Sequence, residues 1–224
     1  MQMPPLPRWE FSPQQAIQHQ RELTDRVIEQ DQLGDVRLVA GIDVGIEGAG
    51  NQTARAAVVV LKFPELAPVD YAMARMPVAF PYIPGLLAFR EIPVIWKALE
   101  QLETEPDVFI VDGQGRAHPR RLGIASHLGV LGDRVNSGCA KSILCGKAVE
   151  PKNQVGAWSP LIDHGETIGA AVRMRKGVTP IYVSVGHRVS LARAIALVIQ
   201  CGKGYRLPET TRYAHRVAGG ESIK

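Results

Sequence analysis

Apolar residues recur along the chain with two different periods, and the change of period marks the elements. Residues 12–32 carry Ala16, Leu23, Val27 and Ile28 as part of a helical stripe. Ser12 supplies an N-cap and Pro13 suits a first turn, so a helix is predicted there. Residues 36–44, 54–63 and 69–80 are then rich in β-branched and apolar residues, the pattern of strands. Gly-Ala-Gly-Asn (48–51) and Pro-Glu-Leu-Ala-Pro (64–68) connect them as turns, which predicts an antiparallel meander. The string PYIPG (81–85) ends the third strand. A helix is predicted over 92–103, with Ile92, Ile95, Leu99 and Leu102 on one face and Pro93 in its first turn. A short buried strand at 108–111, a helix over 121–131, strands at 167–174 and 180–185, and a helix capped by Ser190 through Cys201 complete the reading. No internal repeat breaks the order, which is that of one mixed α/β domain (13–224) preceded by a Pro-rich, loose arm (1–12).

Composition removes several classes. No apolar run approaches the roughly 18 residues of a membrane span, and the first ten residues hold three prolines and no apolar core of a signal peptide. A soluble cytoplasmic protein is the expectation. Cys139, Cys145 and Cys201 are odd in number and lack the paired spacing of a zinc site, so reduced thiols are expected. The net charge of +4 hides an asymmetry. Residues 1–114 carry 9 Lys and Arg against 16 Asp and Glu, whereas residues 115–224 carry 17 against 6. A basic half is what a polyanion partner requires, although a solvated basic surface has the same composition.

Candidate chemistry sits at strand ends. Asp43 lies in GIDVG (41–45) and Asp112 in VDGQG (111–115), each closing an apolar strand. A carboxylate there is costly unless it is paired or binds a cation. Either aspartate alone reads as a turn residue capping amides; the two at equivalent strand ends favour Mg²⁺ or Mn²⁺, which take oxygen ligands. Glu91, in FRE (89–91), is a third ligand, a group that orients metal-bound water, or an acid at a helix N-terminus. An Asp-bearing strand of a meander, a Glu-bearing helix and an Asp-bearing strand resemble, in that order, the ribonuclease H-like fold. Its enzymes cleave phosphodiesters with carboxylate-bound cations. His118, in the basic loop RAHPRR (116–121), could donate a proton or bind phosphate, or simply be solvated. Lys141 in CAKS (139–142) could meet a phosphate as a point charge, or be a surface lysine. His187 in VGHRVS (185–190) ends a strand as the aspartates do, and a capping role fits it equally. GKGYRLP (202–208) is a basic glycine-rich stretch able to bind a phosphate without the spacing of a P-loop. Tyr82, stiffened between prolines, is either a wedge that enters a base stack or a turn aromatic packed on the core.

Taken together, GIDVG (41–45), PYIPGLLAFRE (81–91), VDGQGRAHPRRLGIASHLG (111–129), GHRVS (186–190) and KGYRLPETTR (203–212) resemble the endonuclease V family over roughly residues 15–215. The resemblance implies a ribonuclease H-like fold and Mg²⁺- or Mn²⁺-dependent nicking of DNA in repair. The cut falls at the second phosphodiester 3′ to deoxyinosine and leaves 3′-hydroxyl and 5′-phosphate ends. It implies metal held by Asp43, Asp112 and Glu91, and Tyr82 as the wedge. It also implies His118 and Lys141 beside the cleaved strand, His187 near the metal, and a flipped base against Gly85, Gly113 and Gly123. Damaged DNA is the implied partner, with inosine-containing single-stranded RNA as the alternative, no membrane, and a monomer. One departure is Val135-Asn-Ser-Gly-Cys-Ala-Lys141, where Ser137 and Cys139 replace larger apolar residues and loosen the packing expected under Lys141. Two other classes stay in view: a non-catalytic lesion-binding module, and a cysteine hydrolase using Cys139 or Cys145 with His118 or His187.

Overall fold

Strand β1 (Leu38–Glu47) organises the sheet because it pairs antiparallel with β2 (Thr53–Lys62) on one side and parallel with β4 (Val108–Val111) on the other. A strand so flanked is covered on both faces, and β4 is accordingly apolar and buried at all four positions. The computed structural model describes residues 1–48 and 53–223; the expected turn at 48–51 falls mostly outside them. The other strands are β3 (Pro68–Pro77), β5 (Asn136–Ala140), β6 (Lys147–Ala148), β7 (Trp158–Asp163), β8 (Glu166–Val172) and β9 (Ile181–His187). Among the described residues they form one nine-stranded sheet, ordered β3-β2-β1-β4-β5-β9-β8-β7-β6. Only the β1–β4 and β4–β5 pairs are parallel.

Helices α2 (Leu87–Leu99) and α3 (Ile124–Gly132) cover one face of the sheet, over a core that includes Ile42, Val58, Ile95 and Val111. Helices α4 (Leu191–Gln200) and α5 (Glu209–Ala218) cover the other, over Val39, Val59, Ile110 and Val183. Helix α1 (Pro13–Thr24) lies outside α3, with Leu23 against Leu122 and Val130. This is the single-domain mixed α/β sheet, flanked by helices, that the ribonuclease H-like order implied.

Several elements differ from their sequence-based bounds for local reasons. Ser12 does cap α1, in a capping box with Gln15, but the helix stops at Thr24 instead of reaching residue 32. Beyond it the backbone is recruited by the loop after β9: the Arg188 N–H donates to the Ile28 carbonyl at 2.7 Å, and the Gln32 N–H donates to the Arg188 carbonyl at 3.1 Å. The helix expected from residue 121 starts at Ile124, since Arg121 has a left-handed backbone (φ 56°) that no α-helix accepts. Strands β6 and β7 and helix α5 were not anticipated: β6 is two residues long, β7 contains Pro160, and α5 is polar over most of its length.

The N-terminal segment, expected as a loose arm, is laid along α2. Helix α2 begins at Leu87, five residues earlier than expected, so Pro93 falls inside it. A proline there cannot donate to the carbonyl four residues back, that of Phe89. The indole Nε1–H of Trp9 donates to that same carbonyl at 3.0 Å, and the Trp9 ring stacks on Phe89 at 5.5 Å. Trp96 Nε1 donates to the Pro4 carbonyl at 3.1 Å and Arg134 Nη2 to that of Gln2 at 3.0 Å. Around Trp9 gather Phe11, His19, Phe89 and His127, the last fully buried and pushed down to about 3 by that burial. The interrupted helix is therefore completed in trans, two residues on either side of Glu91. Trp9→Phe should keep the stacking area but orphan the Phe89 carbonyl. Denaturant unfolding should show a loss of about 1–2 kcal/mol; unchanged stability would remove Trp9 from this role.

Candidate active site

Parallel pairing brings the two aspartates side by side. Ile42 faces Val111 across the ladder, and the Asp112 N–H donates to the Ile42 carbonyl at 2.9 Å, so Asp43 and Asp112 leave the sheet at one edge. Strand alternation turns both toward the α5 face, with Gly41 and Ile110. Glu91 arrives from the opposite face, in the second turn of α2 and not at its N-terminus. Asp43 and Glu91 are each 8% exposed, and the Asp112 side chain 10%.

Three carboxylates so placed cannot all ionise without cost. Burial, and then the charges of Asp43 and Asp112, push Glu91 up to about 8. Burial also pushes Asp112 up to about 6, against the hydrogen bond from Lys141 and with a further rise from Asp43. Two donors answer the crowding. Lys141, one residue past β5, places Nζ 2.5 Å from Asp112 Oδ2. His215 Nδ1–H donates to Asp43 Oδ2 at 2.9 Å. Burial lowers the Lys141 pKa, but the Asp112 contact outweighs it and the net shift is upward.

His215 escaped the sequence reading because α5 is polar over most of its length: its buried face, Thr210, Thr211, Ala214, Val217 and Ala218, keeps a helical spacing but offers few large apolar residues to mark it. The detectable signal was on the other partner. A Cβ at Gly41 would lie 2.0 Å from the Thr210 carbonyl oxygen, so glycine in GIDVG is what lets α5 rest on β1 and bring His215 to Asp43. Arg206 was also missed: its Nη2 donates to the Lys141 carbonyl at 2.6 Å and fixes that lysine's backbone.

On the α2 and α3 side of this edge lies a hollow of about 340 Å³, bounded by Tyr82, Gly85, Gly113, His118, Gly123 and Lys141 and floored at one end by Asp112. Tyr82 is 70% exposed at its rim, so it is not a turn aromatic packed on the core. At Gly123 a Cβ would come within 2.3 Å of the Gln114 carbonyl oxygen, so the loop closes on itself only with glycine there. The Gly85 carbonyl accepts from His118 Nε2–H at 2.9 Å, Arg120 Nη2 at 2.6 Å and Gln20 Nε2 at 3.1 Å. Those bonds tie the PYIPG loop to the loop after β4.

His118 is therefore a tie. Its Nδ1 accepts from the Arg120 N–H at 3.1 Å while Nε2 donates to Gly85, and burial followed by the Arg120 charge pushes it down to about 4. Both ring nitrogens are therefore engaged by the protein in this structure, Nε2 with the Gly85 carbonyl and Nδ1 with the Arg120 N–H. His187 is not brought to the site at all. It pairs with Asn136, at the start of β5, whereas Lys141 follows the end of that strand. Its Nδ1 accepts from the Ile28 N–H at 3.2 Å. An antiparallel strand ends at the opposite edge from its parallel neighbours, which strand-end position alone does not reveal. Cys139 is fully buried and its thiol is pushed up by that burial, which leaves no cysteine nucleophile there. The departure at Ser137 and Cys139 opens no gap to solvent; its cost falls on the buried Ser137 hydroxyl, which lacks a hydrogen-bond partner.

A second hollow, of about 280 Å³, lies on the α5 side between Asp43, Gly45, Arg55, Lys141 and His215. Among the described residues no three His, Cys, Asp or Glu side chains are gathered closely enough to hold a metal ion as they stand, and Lys141 and His215 each contact one aspartate oxygen. The donor set still fits a hard cation: carboxylate oxygens only, crowded enough to raise two of the three pKa values.

The chain as a whole has counterparts among known proteins. The endonuclease V family model matches residues 21–216. The chain belongs to the endonuclease V family. It is 53% identical to the endonuclease V of Trichormus variabilis over 211 residues, 94% of this chain and 95% of that one. The crystal structure of endonuclease V from Streptomyces avermitilis superposes with a TM-score of 0.90 at 40% identity, covering 95% of this chain and 93% of that one. A Ciona intestinalis endonuclease V (D234N), crystallised with a DNA containing an inosine followed by a ribo-adenosine, gives 0.82 at 31% identity over 94% and 98%. This chain is thus a nuclease with the endonuclease V fold.

The raised Glu91 pKa has a testable sign. Folded Glu91 keeps its proton to about 8 against 4.5 when unfolded, so its contribution is intact below 4.5 and is lost as pH rises toward 8. In chelator, Glu91→Gln should gain on the wild type by about 3 kcal/mol between pH 5 and pH 8. Parallel stability profiles for the two proteins would contradict the crowding.

Proposed function

We propose that this endonuclease nicks DNA at the second phosphodiester 3′ to deoxyinosine and related deaminated bases, leaving 3′-hydroxyl and 5′-phosphate ends in repair. The observation that carries this reading is the base-sized hollow that opens directly onto the carboxylate edge, with an exposed aromatic at its rim. Tyr82 enters the stack and helps expel the lesion. The expelled base lies against the backbone of Gly85, Gly113 and Gly123, where close approach is possible because side chains are absent. His118, Arg120 and Gln20, joined at the Gly85 carbonyl, keep the two walls of the hollow in register.

Asp43, Asp112 and Glu91 would hold Mg²⁺, for which Mn²⁺ is a substitute. When bound, a divalent cation lowers the pKa of a water and offsets charge on the scissile phosphate. Lys141 exchanges its contact with Asp112 for a non-bridging phosphate oxygen, and Arg206 holds its backbone meanwhile. His215, with its side chain 68% exposed, keeps Nδ1 on Asp43 and presents its other nitrogen toward the strand. The basic half of the chain supplies the phosphate contacts that make binding weaken with salt.

A labelled duplex with one deoxyinosine tests this directly. The expected product is a single nick two phosphodiesters 3′ of the lesion, present with Mg²⁺ and absent with EDTA. Asp43→Asn and Asp112→Asn should each lower the rate at least 100-fold, an expectation of roughly that order for loss of a group stabilising transition-state charge, while remaining folded. A matched strand with ribose around the lesion separates DNA from RNA preference. Cleavage that survives chelation, or that ignores the lesion, would overturn the reading.

A further inference from the structure

The stretch GKGYRLP (202–208) has no part in the site described so far except through Arg206. Its position is set by that residue. Arg206 Nη2 donates to the Lys141 carbonyl at 2.6 Å and Nε to the Thr179 carbonyl at 3.2 Å, so the loop is fastened to the same sheet edge as the carboxylates. It lies on the α5 side. There the Arg212 guanidinium, from the first turns of α5, sits 3.4 Å from the centroid of the Tyr205 ring and is itself paired with Glu209. Tyr205 remains 47% exposed although one ring face is backed by that cation, and Lys203 beside it is exposed. A planar ring, stiffened from behind by a guanidinium and flanked by a further cation, is the arrangement on which nucleic-acid bases stack while phosphates find charge.

The path of a strand determines which part of it meets this ring. The base-sized hollow is on the α2 and α3 side, the two aspartates are at the edge and point toward α5, and the second hollow, with His215, is on the α5 side. A strand cut 3′ of the base in the hollow must carry its 3′ continuation over the edge toward α5. We infer that Tyr205, backed by Arg212 and flanked by Lys203, forms a stacking subsite for nucleotides 3′ of the scissile bond. This inference rests on the proposed cleavage position. The loop then links product-side binding to the nuclease site mechanically, since Arg206 connects the platform to the Lys141 backbone.

The test is cleavage of deoxyinosine single strands that end one or six nucleotides beyond the cut, by the wild type and by Tyr205→Ala and Tyr205→Trp. The wild type should prefer the longer strand, by roughly tenfold in kcat/KM, the order that loss of one stacking aromatic produces. Tyr205→Ala should cut both lengths at the wild type's short-strand rate, and Tyr205→Trp should restore the preference. A wild type that cuts both lengths equally, or an alanine variant that keeps the full preference, overturns the subsite but leaves the nuclease reading standing. A wild type that cuts neither strand while remaining folded fails both. Tyr205 projects from a loop and is half exposed, so circular dichroism should show the alanine variant folded.

Discussion

Uncompensated negative charge at the end of two parallel strands is the constraint on which the rest of the site depends. Asp43 and Asp112 are neighbours because β1 and β4 run parallel, and Glu91 is pressed toward them by α2. Nothing about folding requires this. Burial and mutual repulsion raise the pKa of Glu91 and Asp112, which means that the folded state works against its own carboxylates. Lys141 and His215 relieve part of the strain, each on one aspartate oxygen. The remaining charge suits a hard cation. Local conflict of this kind is expected at functional sites and not elsewhere in a sheet core.

The supporting architecture makes that conflict affordable. Helix α2 must carry Glu91 past Pro93, and the break in its hydrogen bonding is closed by Trp9 from the chain's first residues. Helix α5 must bring His215 to Asp43, and the close approach to β1 depends on Gly41. The hollow beside Asp112 keeps its shape through three donors converging on one carbonyl, that of Gly85. Trp9, Gln20 and His215 lie far from the carboxylates in sequence, so the geometry of a few atoms is spread over nearly the whole chain.

The parts legible in the sequence were those with a strong local signal. The strands bearing Asp43 and Asp112 are apolar, β-branched and punctuated by glycine, and the mixed sheet followed from their order. Glu91, Tyr82, Lys141 and the glycines of the hollow followed from motifs. What was not legible depended on partners distant in the chain. His215 sits on a helix whose buried face, Thr210, Thr211, Ala214, Val217 and Ala218, is made of small or polar residues with one larger apolar one, too few apolar side chains to stand out in the sequence. His187 ends a strand like the aspartates, but β9 is antiparallel to β5 and so ends at the other edge. His118 is in the expected loop, yet its ring is consumed by Gly85 and Arg120, a fact of three-dimensional contact. The arm at 1–12 looked loose because prolines dominate it, and only the unmet carbonyl of Phe89 explains why Trp9 is held down.

The three carboxylates form a crowded site that a divalent cation would stabilise. Thermal unfolding of the wild type and of Asp112→Asn, each with EDTA and then with saturating Mg²⁺, measures this without any substrate. Mg²⁺ should raise the melting temperature of the wild type, by the equivalent of about 2.7 kcal/mol at a hundredfold excess over Kd. Most of this gain should disappear in the variant, which itself should melt no lower than the wild type in EDTA. A wild type indifferent to Mg²⁺, or a variant stabilised just as much, would contradict a cation held by these carboxylates.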